Sequence, residues 1–175
     1  MKKHSFRTRL IKLILYASFG ALIFISKILL EWAPNFHLVG ALIMIFTVAF
    51  RFEAIIPLYV FVFIAGFYAG FDMWWWPYLY IWTILWGITL ALPRKMSPRV
   101  ATAVYMTVCG LHGLFYGVLY APVQAAMFGF SFEQTMLWIA AGLPFDIMHA
   151  IGNLCFGTLI FPASQFLIKA TKKLF

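Results

Sequence analysis

Long apolar stretches, separated by short polar or proline-containing breaks, dominate the chain. A helix that crosses a bilayer needs about 20 predominantly apolar residues. Because these stretches are apolar on every face rather than alternating, they predict helices and not the strands of a membrane β-barrel. We expect an all-α integral membrane protein, a single membrane domain over residues 1–175, with a bundle of six transmembrane helices. Their expected bounds are roughly 10–30, 37–50, 54–71, 78–92, 100–121 and 143–168, with a surface helix from Glu133 to Ala141 before the last.

The composition supports a membrane location. Hydrophobic residues make up 65% of the 175 positions and charged residues only 10%, whereas a soluble domain has about 25% charged residues. A soluble fold of this size could not bury so much apolar surface. These numbers exclude a soluble enzyme, a disordered chain and a secreted disulfide scaffold. Cys109 and Cys155 both lie in apolar runs and are expected to be packing residues rather than a disulfide or a metal pair.

The charges predict an orientation. We expect twelve of the 13 Lys and Arg residues to lie on one side, which the positive-inside rule makes cytoplasmic. That side includes both termini, and it includes the loops after helices two and four. The other side carries Glu31, Asp72 and Glu133 with the cation Lys27. The net charge of +8 therefore indicates topology and not a nucleic-acid partner. We expect the first helix to be retained rather than cleaved as a signal peptide, since five further spans follow it.

Polar residues in the spans gather at one depth, towards the outside. Polar groups in a bilayer are costly, so they indicate function. Asp146, His149 and Asn153 share one helix face at i, i+3 and i+7, and Asn35, His37 and His112 lie at a similar depth. The set predicts an outward-facing polar cavity, although each side chain could also be satisfied individually, for example Lys27 by Glu31.

Tryptophans are concentrated at the outer boundary and are absent from the inner one. An interfacial aromatic belt explains most of them, but the one-sided excess indicates that some rings line a pocket. Trp75 and Trp82 are the candidates, because a flat ring can stack on a heteroaromatic ligand or hold a cation. An acidic Asp146 among tryptophans favours a cationic or donor-rich ring as the ligand.

Catalytic signatures are missing from the sequence. There is no GxxxxGK[ST] phosphate loop, no HExxH and no GxSxG. Asp146 with His149 could form an acid–base pair, and His112 with His149 could ligate a haem. An intramembrane enzyme or haem protein that uses these residues, and a stand-alone small permease, stay open as alternatives. No convincing inverted repeat supports the permease.

The pattern resembles the substrate-binding S components of energy-coupling factor (ECF) vitamin importers, over essentially the whole chain. The segment Leu143-Pro144-Phe145-Asp146-Ile147-Met148-His149-Ala150 looks like the Pro-Phe-Asn-x-x-Lys-type segment of their last helix, with Asp146 and His149 in place of Asn and Lys. The loop Trp32-Ala33-Pro34-Asn35-Phe36-His37-Leu38 is similar to their Pro-Asn loop. Ala17 and Ala21 form an AxxxA step on helix one, with Gly20 beside them.

The resemblance implies a binding subunit without catalysis or cofactor, in a bacterial cell membrane. It implies binding of a vitamin or vitamin precursor from outside, and delivery by a module of one coupling membrane subunit and two ATPase subunits. Ala17, Gly20 and Ala21 would dock the coupling subunit. The ligand contacts would be Asn35, His37, Asp146, His149 and Asn153, with Trp75, Trp82 and His112 as further candidates. Thiamin-like, pyridoxine-like, deazapurine, cobalamin and pantothenate ligands all stay open.

Overall fold

The computed structural model describes residues 6–172, and every regular element in that range is helical. The predicted all-helical class is confirmed. Lys2, Lys3 and Lys173, which the topology prediction used, lie outside the described residues. The elements are α1 (Phe6–Leu29), α2 (Val39–Phe50), a short 3-10 helix (Arg51–Ala54), α3 (Ile55–Ala69), α4 (Tyr78–Ala91), α5 (Pro98–Leu114), α6 (Tyr116–Phe128), α7 (Phe132–Gly157) and α8 (Ile160–Thr171).

The helices pack as six rods, namely α1, α2, α3, α4, α5 with α6, and α7 with α8, and each rod runs opposite to the one before it. Phe19 of α1 stacks on Phe46 of α2 with ring centroids 4.5 Å apart, whereas Tyr16, one turn earlier, contacts Phe50, one turn later. Side-chain contacts repeat this pattern between α3 and α4, between α4 and the α5–α6 pair, and between that pair and α7–α8. The helices therefore form six antiparallel rods.

The two ends of this bundle differ in charge. One end, here called the basic end, holds the 3-10 helix and the loop 92–97, and it carries every described basic residue except Lys27. The other, here called the acidic end, holds the loops 30–38 and 70–77 and the turn before α7, with Glu31, Asp72 and Glu133. This segregation has the form that the positive-inside rule predicts.

Four helical stretches are long and apolar enough to cross a membrane by length and composition. They are Phe6–Leu29, Val39–Ala69, Pro98–Phe128 and Phe132–Gly157, and Tyr78–Ala91 is a shorter apolar helix. The chain thus has the helices of a membrane protein, and the count of six crossings stays a prediction. Arg51, with φ 56°, separates α2 from α3 inside the second stretch, and α1 runs antiparallel to α2 but parallel to α3. The stretch therefore bends back on itself.

The last two rods are longer than the sequence predicted. The expected helix 100–121 is α5 and α6, which meet at Phe115 and continue to Phe128. The expected surface helix and the helix 143–168 are instead one continuous α7 followed by α8. Helix α7 starts at a capping box, in which the Ser131 hydroxyl accepts from the Gln134 amide and the Gln134 side chain accepts from the Ser131 amide. Pro144 removes one hydrogen bond inside α7 without ending it.

Small residues let pairs of helices approach closely. A Cβ added at Gly113 would lie 2.9 Å from the backbone of His149, so α5 and α7 are in near-backbone contact there. Gly20 makes the same kind of contact between α1 and α3, where an added Cβ would lie 2.8 Å from the Pro57 carbonyl oxygen. Gly20 therefore faces the inside of the bundle, whereas Ala17 is exposed and Ala21 is half-buried.

Candidate functional site

A cavity of about 290 Å³ opens at the acidic end, and we call it the acidic-end cavity. The loop 30–38 forms one wall, and side chains from four helices form the others. Its polar and aromatic lining includes Lys27, Glu31, Asn35, His37, Tyr78, Tyr116 and His149. The volume is close to the lower end of small-molecule pockets, roughly 300 Å³.

Below this cavity lies a cluster of imidazole and indole rings. His149, which is 1% exposed, has ring centroids 4.7 Å from His37, 4.9 Å from Tyr116 and 6.3 Å from Trp82. Trp82 in turn lies 5.5 Å from His112. The members come from the loop 30–38 and from α4, α5, α6 and α7, so the fold rather than any local motif assembles them.

Most polar atoms in this cluster have no partner. Among the described residues, six buried side-chain nitrogen or oxygen atoms lack a hydrogen bond, and all but Arg51 Nε belong to this region. They are His37 Nδ1, Trp82 Nε1, His112 Nδ1, His149 Nε2 and Asn153 Oδ1. A buried polar atom left unsatisfied costs about 1–3 kcal/mol. His37 and His149 line the cavity, whereas Trp82, His112 and Asn153 do not, and buried polar atoms of this kind are usually completed by ordered water, an ion or a ligand.

His112 of the cluster and the neighbouring Asn153 are held by backbone carbonyls. His112 Nε2 lies 3.1 Å from the Ile81 carbonyl oxygen, and Asn153 Nδ2 donates to the Cys109 carbonyl oxygen at 2.9 Å. In each case the second polar atom of the same side chain stays unpartnered. These backbone bonds fix the orientation of both side chains, which is a property of a preorganised binding site.

Lys27 is the only described cation at the acidic end, and it lines the cavity. The sequence suggested an ion pair between Lys27 and Glu31, one turn later, but this pair does not form. In residues 6–172 the one recorded salt bridge joins Lys12 to Glu53 at the basic end. The Lys27 ammonium group is therefore available to an acceptor in the cavity.

Asp146 has a structural partner that its sequence position did not indicate. Its carboxylate accepts from the Gly117 amide, with N–O distances of 3.1 and 3.2 Å. That amide is at the start of α6, where the helix break at Phe115 leaves N–H groups without helical acceptors. Asp146 lines a second cavity of about 280 Å³, which shares Asn35 and Tyr116 with the first.

We expect Asp146→Ala to lower the free energy of unfolding by about 2 kcal/mol, because it removes a charged acceptor from a buried amide. Asp146→Asn keeps one acceptor oxygen and should cost about half as much. Thermal unfolding of the purified protein in detergent measures both. Glu133→Ala, which removes an exposed carboxylate from the same helix, is the matched control, and an equal effect there would contradict the assignment.

The structure brings together most, but not all, of the predicted site residues. Asn35, His37 and His149 line the acidic-end cavity, and Asp146 lines the adjacent one. Trp82 and His112 do not line it but belong to the ring cluster beside it, where Trp82 contacts His149 and His112. Asn153 is buried one turn after His149 and bonds to the Cys109 carbonyl oxygen. Trp75 is separate, because its indole donates to the Val62 carbonyl oxygen at 2.8 Å and packs over Gly66. Tyr78 and Tyr116 also line the cavity, although they were not among the predicted site residues. The i+4 spacing of Tyr78 from Trp82, and of Tyr116 from His112, could have indicated them.

No group of three or more His, Cys, Asp or Glu side chains in the described part of the chain is arranged to hold a metal ion. Cys109 is buried and Cys155 is exposed, and both are free. Together, the fold and the cavity describe an all-helical chain with helices long and apolar enough to cross a membrane and with a polar pocket that opens at one end. No protein-family model, curated protein or solved structure matches the chain.

Proposed function

We propose that the chain is a membrane-embedded binding subunit for a small molecule, and that the acidic-end cavity is its binding site. The observation that carries this proposal is the set of five unpartnered buried polar atoms in and beside the ring cluster, of which His37 Nδ1 and His149 Nε2 belong to residues that line the cavity. Unrelated packing requirements would scatter such atoms through the structure. Here they converge beside a pocket large enough for a ring with polar substituents.

The cavity favours a planar molecule with hydrogen-bonding groups and an anionic or strongly accepting end. The imidazole and indole rings offer faces for a ring and nitrogen atoms for its polar groups. Lys27 is the only lysine or arginine among the described residues that line the cavity, and it offers a positive charge there. The carboxylate of Asp146, which had favoured a cationic ligand, bonds instead to the Gly117 amide and lies in the neighbouring cavity. A vitamin or vitamin precursor with a carboxylate or phosphate fits this chemistry.

We further propose that the subunit is the S component of an ECF-type importer in a bacterial cell membrane. Both segments that carry the resemblance contribute to the cavities, through Asn35 and His37 in the loop and through Asp146 and His149 in α7. A coupling membrane subunit and two ATPase subunits would supply the energy. The six rods would cross the membrane with the basic end, and hence both termini, in the cytoplasm.

The surface of α1 offers a place for the coupling subunit. Ala17 and Ser18 are exposed and Ala21 is half-buried, so small side chains line one part of the helix surface. A partner helix could approach closely there. Gly20 is excluded from this surface, because it already packs against Val60 and Pro57 of α3. Of the three expected docking residues, Ala17 and Ala21 therefore support the proposal and Gly20 stabilises the bundle.

We expect Ala17→Trp or Ala21→Trp to lower ATP-dependent uptake by the complete complex at least tenfold, because a large ring would separate the two subunits. Uptake into liposomes containing all subunits measures this effect, and retention of the co-purified molecule by the isolated variant should not change. The control is Leu22→Trp, which adds a ring to an exposed position about 140° around the helix from Ala17.

Three outcomes would contradict this assignment. Uptake at the wild-type rate by the Ala17→Trp variant would show that Ala17 does not belong to a docking surface. Accumulation by the isolated chain, without ATPase subunits, would favour the stand-alone permease. A Soret band in the purified chain would favour the haem protein, with His112 and His149 as ligands.

A further inference from the structure

A third cavity, of about 220 Å³, opens at the basic end among α2, α4, α5, α8 and the loop 92–97. We call it the basic-end cavity. Arg51, Arg94, Tyr105 and Gln165 are among its polar lining residues, and Leu92, Met96, Phe161 and Ile168 are among its apolar ones. It lies at the opposite end of the bundle from the site proposed above and shares no lining residue with it.

Arg51 is held in this cavity by an unusual backbone conformation. Its φ of 56° with ψ of −124° is disfavoured for any residue other than glycine. The indole of Trp86 donates to the Arg51 carbonyl oxygen at 3.4 Å, so one tryptophan does lie at the basic end, where the sequence predicted none. The guanidinium donates from one terminal nitrogen to the Leu90 carbonyl oxygen at 2.6 Å. Its Nε is buried and has no partner.

The two arginines of the cavity have no protein anion to balance them. Within residues 6–172, neither Arg51 nor Arg94 forms a salt bridge. Glu53, the only described acidic residue at the basic end, instead bonds to Lys12 and to the Tyr16 hydroxyl. Two guanidinium groups lining one small cavity repel each other unless an anion lies between them.

We propose that the basic-end cavity binds a phosphate oxyanion. Guanidinium groups match the geometry of phosphate through paired N–H donors, and Tyr105 and Gln165 can add neutral donors. The phosphate can belong to an anionic phospholipid of the cytoplasmic leaflet or be free inorganic phosphate. The apolar lining beside the arginines favours the lipid, because it offers a surface to the acyl chains.

The test uses the full-length protein, delipidated in detergent and titrated with phosphatidylglycerol, phosphatidylcholine or inorganic phosphate, with native mass spectrometry as the readout. We expect phosphatidylglycerol to bind in preference to phosphatidylcholine. Arg94→Gln should weaken this binding roughly tenfold, which is the size of one charge-assisted hydrogen bond. Arg99→Gln is the matched control, because it removes the same charge from an exposed position outside the cavity.

Each outcome decides the proposal. Loss of phosphatidylglycerol binding in Arg94→Gln, with binding preserved in Arg99→Gln, supports a lipid site. Binding of inorganic phosphate that Arg94→Gln abolishes and Arg99→Gln preserves supports a site for free phosphate. Equal weakening in the two variants would show general surface attraction of anionic lipid to cationic side chains and would overturn the proposal, as would no binding of either probe. None of these results depends on the acidic-end cavity.

Discussion

Replacing Gly113 with Ala is expected to destabilise the folded protein by about 1–3 kcal/mol, the usual cost of overpacking a close contact. The new Cβ would lie 2.8 Å from Asn153 Nδ2 and 2.9 Å from the His149 carbonyl group. Backbone atoms cannot move aside as a flexible side chain can, so α5 and α7 must separate. The substitution should also weaken retention of the molecule proposed to bind in the acidic-end cavity, because Asn153 and His149 both shift.

The matched control for this prediction is Gly87→Ala. Gly87 also lies inside a helix, α4, but a Cβ added there would meet no atom within 4 Å. This substitution should leave stability unchanged or raise it by up to about 1 kcal/mol, since Ala favours a helix over Gly. The midpoint of thermal unfolding in detergent separates the two variants. Equal midpoints would contradict the close contact between α5 and α7.

Replacing His149 with Leu is expected to reduce ligand retention by about 5- to 100-fold without destabilising the protein. In the empty protein His149 Nε2 is buried and unpartnered, so an apolar side chain of similar size removes an unfavourable group and stability should hold or rise. In the occupied protein the same nitrogen would bond to the ligand, and its loss should cost about 1–3 kcal/mol of affinity. Binding and stability should therefore move in opposite directions.

The amount of small molecule recovered per protein, together with the unfolding midpoint of the empty protein, measures both effects. Thr47→Val is the control, because Thr47 is equally buried but its hydroxyl already donates to the Ile43 carbonyl oxygen at 2.7 Å. It should retain the molecule at the wild-type level. A destabilised His149→Leu variant with unchanged retention would show that His149 is a packing residue.

The sequence predicted the helical class and much of the candidate site for identifiable physical reasons. Apolar runs without alternation leave helices as the way to satisfy the backbone in lipid. Within α7, the spacing of His149 and Asn153 alone places them on one face. The segregation of charge along the chain also predicted which loops lie at the same end. These inferences need only periodicity and composition, which a sequence contains directly.

Other features depend on contacts between distant segments. The bond from Asp146 to the Gly117 amide requires the helix break at Phe115, which the nearby Gly113 and Gly117 do not by themselves predict inside an apolar run. Trp75 was predicted to line the pocket, but its indole packs over Gly66, bonds to the Val62 carbonyl oxygen and does not reach the cavity. Gly20 was predicted to belong to a docking surface, but Pro57 and Val60 of α3 pack against it. Each of these depends on which side a neighbouring helix occupies.

The central claim is that the acidic-end cavity holds a specific small molecule, and the most direct test is to identify what the wild-type protein retains. The purified protein is washed, denatured and extracted, and the extract is compared by mass spectrometry with a mock purification from membranes that lack the protein. We predict one enriched molecule with a planar ring and an anionic group, which rebinds to the emptied protein with a stoichiometry of about one in calorimetry. The absence of any enriched molecule, or rebinding that His149→Leu leaves unchanged, would contradict the claim.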